Sequence, residues 1–331
     1  MYFTGVGGIC PLGHYCPEGS TIALPCEAGT YADRIAQSGC SNCSEGFYCL
    51  ANSTEFLSSP CPTGHFCLEG TKYDTEYKCP PGTYNPSEKG TSLSSCLQCP
   101  GGQYCQGEGN SNATGNCSSG WYCSGSADQP NTTTNGGRCQ PGYYCPEGSP
   151  DPLPCPPGQF CQTDGLDLPT GNCSAGYFCT LKSSTATPTD GVMGDICPSG
   201  YYCTDGAPYP SPCQPGTYSP NEGNLASNDC LPCSFGEFCG GYNLTGTSGN
   251  CTAGYYCPQG ERTPDSLLCT VGHYCPEHTA TPILCPSGWY QDETGQSACK
   301  ICPGGFYCDN SLGVVVINDT ITCPEGFYCP P

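Results

Sequence analysis

The sequence has few of the residues that build a hydrophobic core. Leu, Ile, Val and Phe together supply 42 of its 331 residues, about 13%. A chain needs roughly 20% of these residues to bury enough apolar surface to offset the entropy lost on folding. Gly and Pro supply 82 residues, a quarter of the chain, which excludes long helices. Apolar burial alone would therefore leave this chain disordered.

Positive charge is also scarce. The chain has 8 Lys and Arg against 29 Asp and Glu, a net charge of −21, and no basic cluster occurs. We therefore expect no nucleic-acid partner and no attraction to anionic membranes. The longest aliphatic run, Val314–Ile317, is far shorter than the ~20 residues of a membrane helix, so we expect no membrane insertion.

Cysteine, in contrast, is abundant. The 36 cysteines are about 11% of the chain, a level typical of disulfide scaffolds in oxidising compartments. We therefore expect an extracellular or cell-surface location. Residues 1–5 contain neither the basic nor the apolar stretch of a secretion signal, so we expect a segment, or a mature form, of an exported protein.

One short unit accounts for every cysteine. It begins with Cys-x-x-Gly and has Tyr or Phe five residues after the cysteine, in all cases. The glycine predicts a turn with positive φ, and the aromatic is expected to pack within its own repeat. The unit starts are Cys10, Cys26, Cys43, Cys61, Cys79, Cys99, Cys117, Cys139, Cys155, Cys173, Cys197, Cys213, Cys233, Cys251, Cys269, Cys285, Cys302 and Cys323.

The units come in two lengths. Fourteen are short and carry their second cysteine directly after the aromatic, as Cys-x5-Cys. The second cysteine comes later in four long units, which are Cys26 with Cys40, Cys79 with Cys96, Cys213 with Cys230 and Cys285 with Cys299. No cysteine is left over, which predicts 18 disulfides and no free thiol.

A coarser period groups the units into modules that stack linearly. The tripeptide Asn-Cys-Ser/Thr opens several of these modules. The predicted ranges are a segment 1–9, modules 10–60, 61–116, 117–172, 173–250 and 251–322, and the start of a further repeat at 323–331.

The run from Cys10 to Tyr31, with Cys-Pro-Leu-Gly-His-Tyr-Cys-Pro-Glu-Gly followed by a second unit, resembles the ephrin-receptor-like cysteine-rich repeats of large extracellular proteins, including protist and algal ones. A long unit followed by a short one, as from Cys285 to Cys302, is similar to tumour-necrosis-factor-receptor modules. The resemblance implies a small, disulfide-rich fold of β-hairpins and irregular segments in an elongated linear array.

The same resemblance implies a disulfide pattern. Each long unit would close on itself. The short units would interleave in pairs, first cysteine to first and second to second. Two phases fit this scheme, one joining Cys10 and Cys16 to Cys43 and Cys49, and the other joining Cys43 and Cys49 to Cys61 and Cys67.

Nine sequons predict N-linked glycans, and the hydroxyl-rich stretch 131–134 is a candidate for O-linked ones. Four of the nine directly precede a cysteine, so disulfide formation could compete with their modification. The nine are Asn42, Asn52, Asn112, Asn116, Asn131, Asn172, Asn243, Asn250 and Asn318.

Residues that would carry other chemistry are absent or explained by the repeat. The Cys-x2-Cys pairs, such as Cys96 with Cys99, belong to the repeat and lack a zinc or redox context. No hydrolase, P-loop or metalloprotease motif occurs, and Asp164–Asp167 is the nearest approach to a calcium loop. We expect no enzyme activity, metal site or cofactor.

Two functions fit this pattern. The first is a structural subunit of a glycosylated extracellular fibre, appendage or coat that assembles head-to-tail with copies of itself. The alternative is a ligand-binding or adhesive ectodomain of a cell-surface receptor. The β-branched run Val314, Val315, Val316 and Ile317 is a candidate assembly strand, which would pack against residues 1–9 or a module of the next subunit.

Overall fold

The computed structural model describes residues 7–309, 321–323 and 325–329. The chain divides into two compact units, Met1–Cys155 with Cys161–Thr170, and Pro156–Phe160 with Gly171–Pro331. Both are built from two-stranded antiparallel hairpins, and the described residues contain no α-helix. Two 3-10 turns, Leu93–Ser95 and Ser227–Asp229, lie in the loops of long units.

Each hairpin lies within one cysteine unit. The residues after the unit glycine pair with the residues just before the next unit's first cysteine. In the first compact unit the pairs are His14–Tyr15 with Leu24–Pro25, Thr30–Tyr31 with Ser41–Asn42, Thr83–Tyr84 with Leu97–Gln98, Gln103–Tyr104 with Gly115–Asn116, Trp121–Cys123 with Gly136–Arg138, and Tyr143–Tyr144 with Leu153–Pro154.

The second compact unit repeats this arrangement. Its pairs are Gln159–Phe160 with Gly171–Asn172, Tyr177–Cys179 with Gly194–Ile196, Tyr201–Tyr202 with Ser211–Pro212, Thr217–Tyr218 with Leu231–Pro232, Glu237–Phe238 with Gly249–Asn250, His273–Tyr274 with Ile283–Leu284, Trp289–Tyr290 with Lys300–Ile301, and Phe306–Tyr307 with Ile321–Thr322.

The unit glycine, three residues after the first cysteine, adopts the predicted turn. All eighteen unit glycines have φ between 73° and 93°. The residue after the glycine donates its N–H to the carbonyl of the residue two positions before the glycine. The His14 N–H, for example, donates to the Pro11 carbonyl. This is the geometry of a type II turn, in which the third residue needs positive φ and is therefore usually glycine.

Consecutive units are joined by two backbone hydrogen bonds, the same at all seventeen junctions. The N–H of the unit glycine donates to the carbonyl six residues after the first cysteine of the next unit, and its carbonyl accepts from that cysteine's N–H. Gly82 thus donates to Cys105 at 2.9 Å and accepts from Cys99 at 2.9 Å. The glycine backbone therefore carries the connection from one unit to the next.

A second contact reaches one unit further. Nine or ten residues after the first cysteine, most units place a residue with positive φ, which we call the turn residue. Its N–H donates to the first cysteine of the preceding unit, as Ser126 does to Cys99 at 2.8 Å. The carbonyl of the turn residue lies against the unit glycine found two units earlier in the chain. A Cβ built on Gly82 would therefore overlap the Ser126 carbonyl oxygen. Glycine is thus required by space as well as by φ.

The buried residues are mainly disulfide sulfurs. Most cysteines are fully buried, whereas many large apolar side chains are exposed. The unit aromatics are mostly half-buried. The Tyr104 ring lies against Gly115 of its own hairpin, as expected, and it also contacts the following unit. Its ring packs on the Cys117–Cys123 disulfide of the following unit. The aromatic therefore supports the junction between units.

In the long units a different residue fills the place of the second cysteine. Six residues after the first cysteine, these units carry Ala32, Asn85, Ser219 and Gln291, all buried. The polar members are satisfied. Gln291 donates to the Ala298 carbonyl at 2.7 Å, and Asn85 donates to the His65 carbonyl at 2.9 Å. The junction thus needs a small or hydrogen-bonded side chain here, and a disulfide is one way to supply it.

All 36 cysteines form disulfides, eighteen in number, and none is free, as predicted. The four long units pair internally, Cys26 with Cys40, Cys79 with Cys96, Cys213 with Cys230 and Cys285 with Cys299, as the resemblance implied.

The interleaved pairing of short units, in either phase, is wrong. Every short unit closes on itself, beginning with Cys10 to Cys16 and Cys43 to Cys49. The physical reason is the turn at the glycine, which brings the two Cα atoms of a short unit to 5.7–6.3 Å, inside the range that a disulfide spans. The division into larger modules, from 10–60 to 251–322, stays a prediction.

Substituting a unit glycine should be far more costly than substituting a turn residue. We expect Gly82→Ala to destabilise its junction by about 3 kcal/mol, because alanine pays about 1 kcal/mol for positive φ and about 2 kcal/mol for overlap with the Ser126 carbonyl. Gly70→Ala is the matched control, since Gly70 has φ +80° but open space around its Cα, so it should cost about 1 kcal/mol. Hydrogen exchange of residues 99–127 and 61–71 measures both, and equal effects would contradict the steric argument.

The short-unit pairing can be read from peptides. Digestion of the non-reduced protein between units should release each short unit as a peptide whose two cysteines are bonded to each other, because each pair closes within seven residues. Mass spectrometry of these peptides before and after reduction tests this. Peptides from two units that separate only on reduction would restore the interleaved scheme.

Candidate functional site

The sequon asparagines are the largest group of predicted site residues, and the structure describes most of them. Asn318 and the candidate assembly strand Val314–Ile317 lie outside the described residues. The remaining sequon asparagines are all exposed: Asn42, Asn52, Asn112, Asn116, Asn131, Asn172, Asn243 and Asn250. Each is therefore accessible to solvent in the folded chain.

Two of these asparagines also have a conformational role. Asn52 and Asn243 are turn residues with φ of 67° and 50°, a region that asparagine tolerates better than most residues. Their N–H groups donate to Cys26 and Cys213, at 2.9 and 3.0 Å. The Asn243 side chain also donates from Nδ2 to the Tyr201 hydroxyl at 2.8 Å. Asparagine at these positions is thus explained by the turn as well as by a glycan.

The four asparagines that precede a cysteine share a contact that the sequence patterns did not reveal. We call them the clamp asparagines. Each donates from Nδ2 to a carboxylate of a unit further along the chain, at 3.1, 3.4, 2.9 and 3.1 Å. The pairs are Asn42 with Glu69, Asn116 with Glu147, Asn172 with Asp205, and Asn250 with Glu277.

A sequence signal for this contact does exist. In every pair the acid directly precedes a turn residue, which is glycine in three cases and His278 in the fourth. The partners lie 27 to 33 residues apart, so the signal becomes visible only once the spacing between alternate units is known. We call these four acids the clamp acids.

The hydroxyl-rich stretch 131–134 is divided by burial. Thr132 is buried, and its hydroxyl oxygen accepts the N–H of Thr134 at 3.3 Å. Thr133 and Thr134 are exposed. Only the latter two threonines present hydroxyls to solvent, so they are the candidates for O-linked sugar.

The few ion pairs are local. Arg138 pairs with Asp164 at 2.8 Å, with both side chains about half exposed. Lys300 pairs with Asp292 at 2.7 Å and with Glu293 at 3.2 Å, inside the long unit that begins at Cys285. Such partly exposed pairs contribute little to stability. The other acids leave the surface strongly negative.

Three pKa shifts follow from hydrogen bonding. The Lys300 ammonium donates to Asp292 and lowers the pKa of that carboxyl, while the pKa of Lys300 is raised chiefly by the same bond and further by Glu293. The pKa of Asp190 is lowered because its carboxylate accepts the backbone N–H groups of Val192 and Met193. Asp190 is exposed, and Asp292 and Lys300 are partly exposed. Each shift arises from hydrogen bonds or ion pairs with residues at most eight positions away, so these shifts indicate local stabilisation of loops.

Two open clefts lie on the described surface. One cleft of about 570 Å³ is lined by Trp289, Ile301, Phe306, Tyr307 and Tyr328. Within the described ranges, no three His, Cys, Asp or Glu side chains approach closely enough to bind a metal ion. No helix among the described segments is long and apolar enough to cross a membrane.

A second cleft, of about 350 Å³, is lined by Tyr122, Arg138 and Tyr143 together with Gln140 and Pro152. It combines two aromatic side chains with one of the few cations of the chain. Arg138 is already paired with Asp164, so its charge is partly neutralised. The cleft could hold a small polar group but has no acid–base pair.

Comparison with known proteins agrees with this architecture. Residues 268–312 match the family model described as tyrosine-protein kinase ephrin type A/B receptor-like. The chain is a cysteine-rich array, and this stretch of it is ephrin-receptor-like. The matched stretch contains the short unit from Cys269, the long unit from Cys285 and both cysteines of the short unit from Cys302. The same junctions recur along the described chain. No curated protein matches the chain. The disulfides and the family match together indicate an extracellular ectodomain.

The Lys300–Asp292 pair gives a prediction for pH. Because the pKa of Asp292 is lowered on folding, its contribution to stability is present above the ordinary value of 3.8 and is lost as the pH falls through the lowered value. Lys300, with its pKa raised above 10.5, keeps its contribution until the pH rises through the raised value.

The expected result is a carboxyl titration midpoint for Asp292 below 3.8 that rises toward 3.8 in Lys300→Gln, because the donor is removed. Carbon-detected NMR of the side-chain carboxyl measures it. Lys72→Gln, a change in the other compact unit, is the control and should leave the Asp292 midpoint unchanged. A midpoint unaffected by Lys300→Gln would show that the pair does not form in solution.

Proposed function

We propose that the chain is a structural subunit of a glycosylated extracellular fibre, appendage or coat, assembling head-to-tail with copies of itself, and that it has no enzyme activity. The supporting observation is the uniform connection between units, with the same two backbone hydrogen bonds at all seventeen junctions. In repeat proteins, contacts limited to near neighbours allow an array of any length. Such a scaffold serves a load-bearing role without any one special site.

The distribution of crosslinks supports the same role. Each short disulfide closes a loop of only a few residues. Every short unit therefore contains a covalent crosslink that resists extension of the chain under tension. Disulfides that close loops typically contribute about 2–4 kcal/mol each to folding. A fibre built this way would lose little structure beyond a single damaged unit.

The exposed sequon asparagines and the negative charge also support this function, because both favour contact of the described chain with water. Eight sequon asparagines are exposed, and the net charge of −21 favours solubility of the separate chains. We propose N-linked glycans on sequon asparagines and O-linked sugar on Thr133 or Thr134. Copies of the same chain are the proposed protein partner.

The alternative is a ligand-binding or adhesive ectodomain of a cell-surface receptor. The family description names a receptor type, and the Tyr122–Arg138–Tyr143 cleft is a place where a small polar ligand would fit. In that case the array would hold the ligand-binding unit away from the cell surface. Electron micrographs of the purified protein separate the two functions, since isolated particles at all concentrations would favour the receptor.

The assembly strand gives a sharper test of the fibre. We expect Val314→Asp with Val316→Asp to shorten or abolish fibres, because two charges would enter an apolar strand contact. Val192→Asp is the control, because Val192 is 76% exposed in a loop of another unit and should not affect assembly. Micrographs and a thiol assay are needed for each variant. Fibres of normal length from a disulfide-complete double variant would exclude this strand as the joint.

A further inference from the structure

The clamp asparagines and clamp acids form a repeated side-chain contact beside a repeated backbone contact. Asn42 directly precedes Cys43, and Glu69 directly precedes the turn residue Gly70. The Gly70 N–H donates to the Cys43 carbonyl at 2.9 Å, next to the Asn42–Glu69 hydrogen bond of 3.1 Å. The two bonds therefore hold the same turn against the same cysteine from adjacent residues.

The other three clamps have the same backbone bond. Turn residues Gly148 and Gly206 donate to Cys117 and Cys173 at 2.9 and 2.8 Å, and His278 donates to Cys251 at 3.2 Å. Four independent occurrences of one side-chain pair at one place in the repeat indicate a built feature of the fold.

Close packing accompanies the hydrogen bond in the clamp. A Cβ placed on Gly206 would lie 3.4 Å from Cγ of Asn172, so the carboxamide lies directly against the turn. At the fourth clamp, where the turn residue is His278, its Nδ1 lies 3.2 Å from Oδ1 of Asn250, while Nδ2 of Asn250 donates to Glu277. Both ends of that carboxamide are engaged.

Three of the remaining sequons differ from the clamps. The side chains of Asn52, Asn112 and Asn131 make no hydrogen bond within the described part of the chain. The residue after each clamp asparagine is a fully buried, disulfide-bonded cysteine, namely Cys43, Cys117, Cys173 and Cys251. A glycan must therefore reach a clamp asparagine before its unit folds, in competition with formation of both the disulfide and the amide–carboxylate bond.

We propose that the clamp asparagines are hydrogen-bond donors between units and stay largely unmodified, whereas Asn52, Asn112 and Asn131 carry N-linked glycans. This inference rests on the glycosylation that is part of the proposed function. It divides the sequons by structural role, and it assigns to Glu69, Glu147, Asp205 and Glu277 the role of positioning residues for the turns that follow them.

Glycopeptide mapping of the full chain secreted from a glycosylating host tests the division. We expect occupancy at Asn52, Asn112 and Asn131 to exceed that at the clamp asparagines by about fivefold or more, since a hydrogen bond to a charged group contributes about 1.5 kcal/mol, roughly a tenfold preference. Equal occupancy in the two groups would overturn the inference. Absence of glycan from every asparagine would instead contradict the glycosylated fibre, and the second experiment then decides the clamp.

The second experiment exchanges the partners of one clamp. Ser44→Ala removes the sequon but keeps Asn42, so the clamp should be unchanged. Asn42→Asp also removes the sequon but sets two carboxylates against each other. Asn42→Asp with Glu69→Gln restores an amide–carboxylate pair in reverse order, with Gln as the donor.

Hydrogen exchange of a peptide containing Gly70 reads out the clamp without reference to glycans. We expect exchange in Asn42→Asp to be about threefold to tenfold faster than in Ser44→Ala, because a charge-assisted bond is replaced by repulsion. The double variant should return close to the Ser44→Ala rate. Equal rates in Ser44→Ala and Asn42→Asp, or no recovery in the double variant, would overturn the positioning role.

Discussion

A left-handed glycine in each unit is the feature on which the rest of the structure depends. Because the chain turns at this residue without a side chain, its N–H and its carbonyl both face the next unit and both are used there. The absence of a Cβ then admits the carbonyl of a turn two units along. Backbone hydrogen bonds thus take the place that apolar side chains hold in ordinary domains, which explains how a chain with so few aliphatic residues keeps an ordered fold.

The disulfides complete this arrangement by filling the space beside each glycine. In short units the closing cysteine occupies the site six residues after the first. In long units Ala32, Asn85, Ser219 and Gln291 occupy the same site. The crosslink is therefore interchangeable with a small side chain or one whose polar atoms are satisfied, whereas the glycine has no substitute. The unit aromatics also support the junctions between units. Tyr104, for example, packs on the disulfide of the next unit.

Much of this could be predicted from the sequence, because it is local. The unit pattern predicted the positive φ of the glycines and the complete pairing of the cysteines. The family resemblance implied the hairpins and the internal disulfides of the long units. The short-unit pairing was mispredicted, because it was taken from a family with a different ratio of long to short units, while the turn at Gly13 already brings Cys10 and Cys16 together. The clamps were missed because Asn42 and Glu69 lie 27 residues apart, and their contact depends on how alternate units stack.

The uniform junction also has a consequence for how such a chain changes over generations. Because every unit presents the same glycine backbone to its successor and the same carbonyl and N–H to its predecessor, any unit is compatible with almost any neighbour. Tandem duplication, deletion or exchange of whole units should then leave the junctions intact, while loops such as the one that contains Asp190 can lengthen freely between the strands of a hairpin. The gene could vary in copy number of its units without passing through unfolded intermediates.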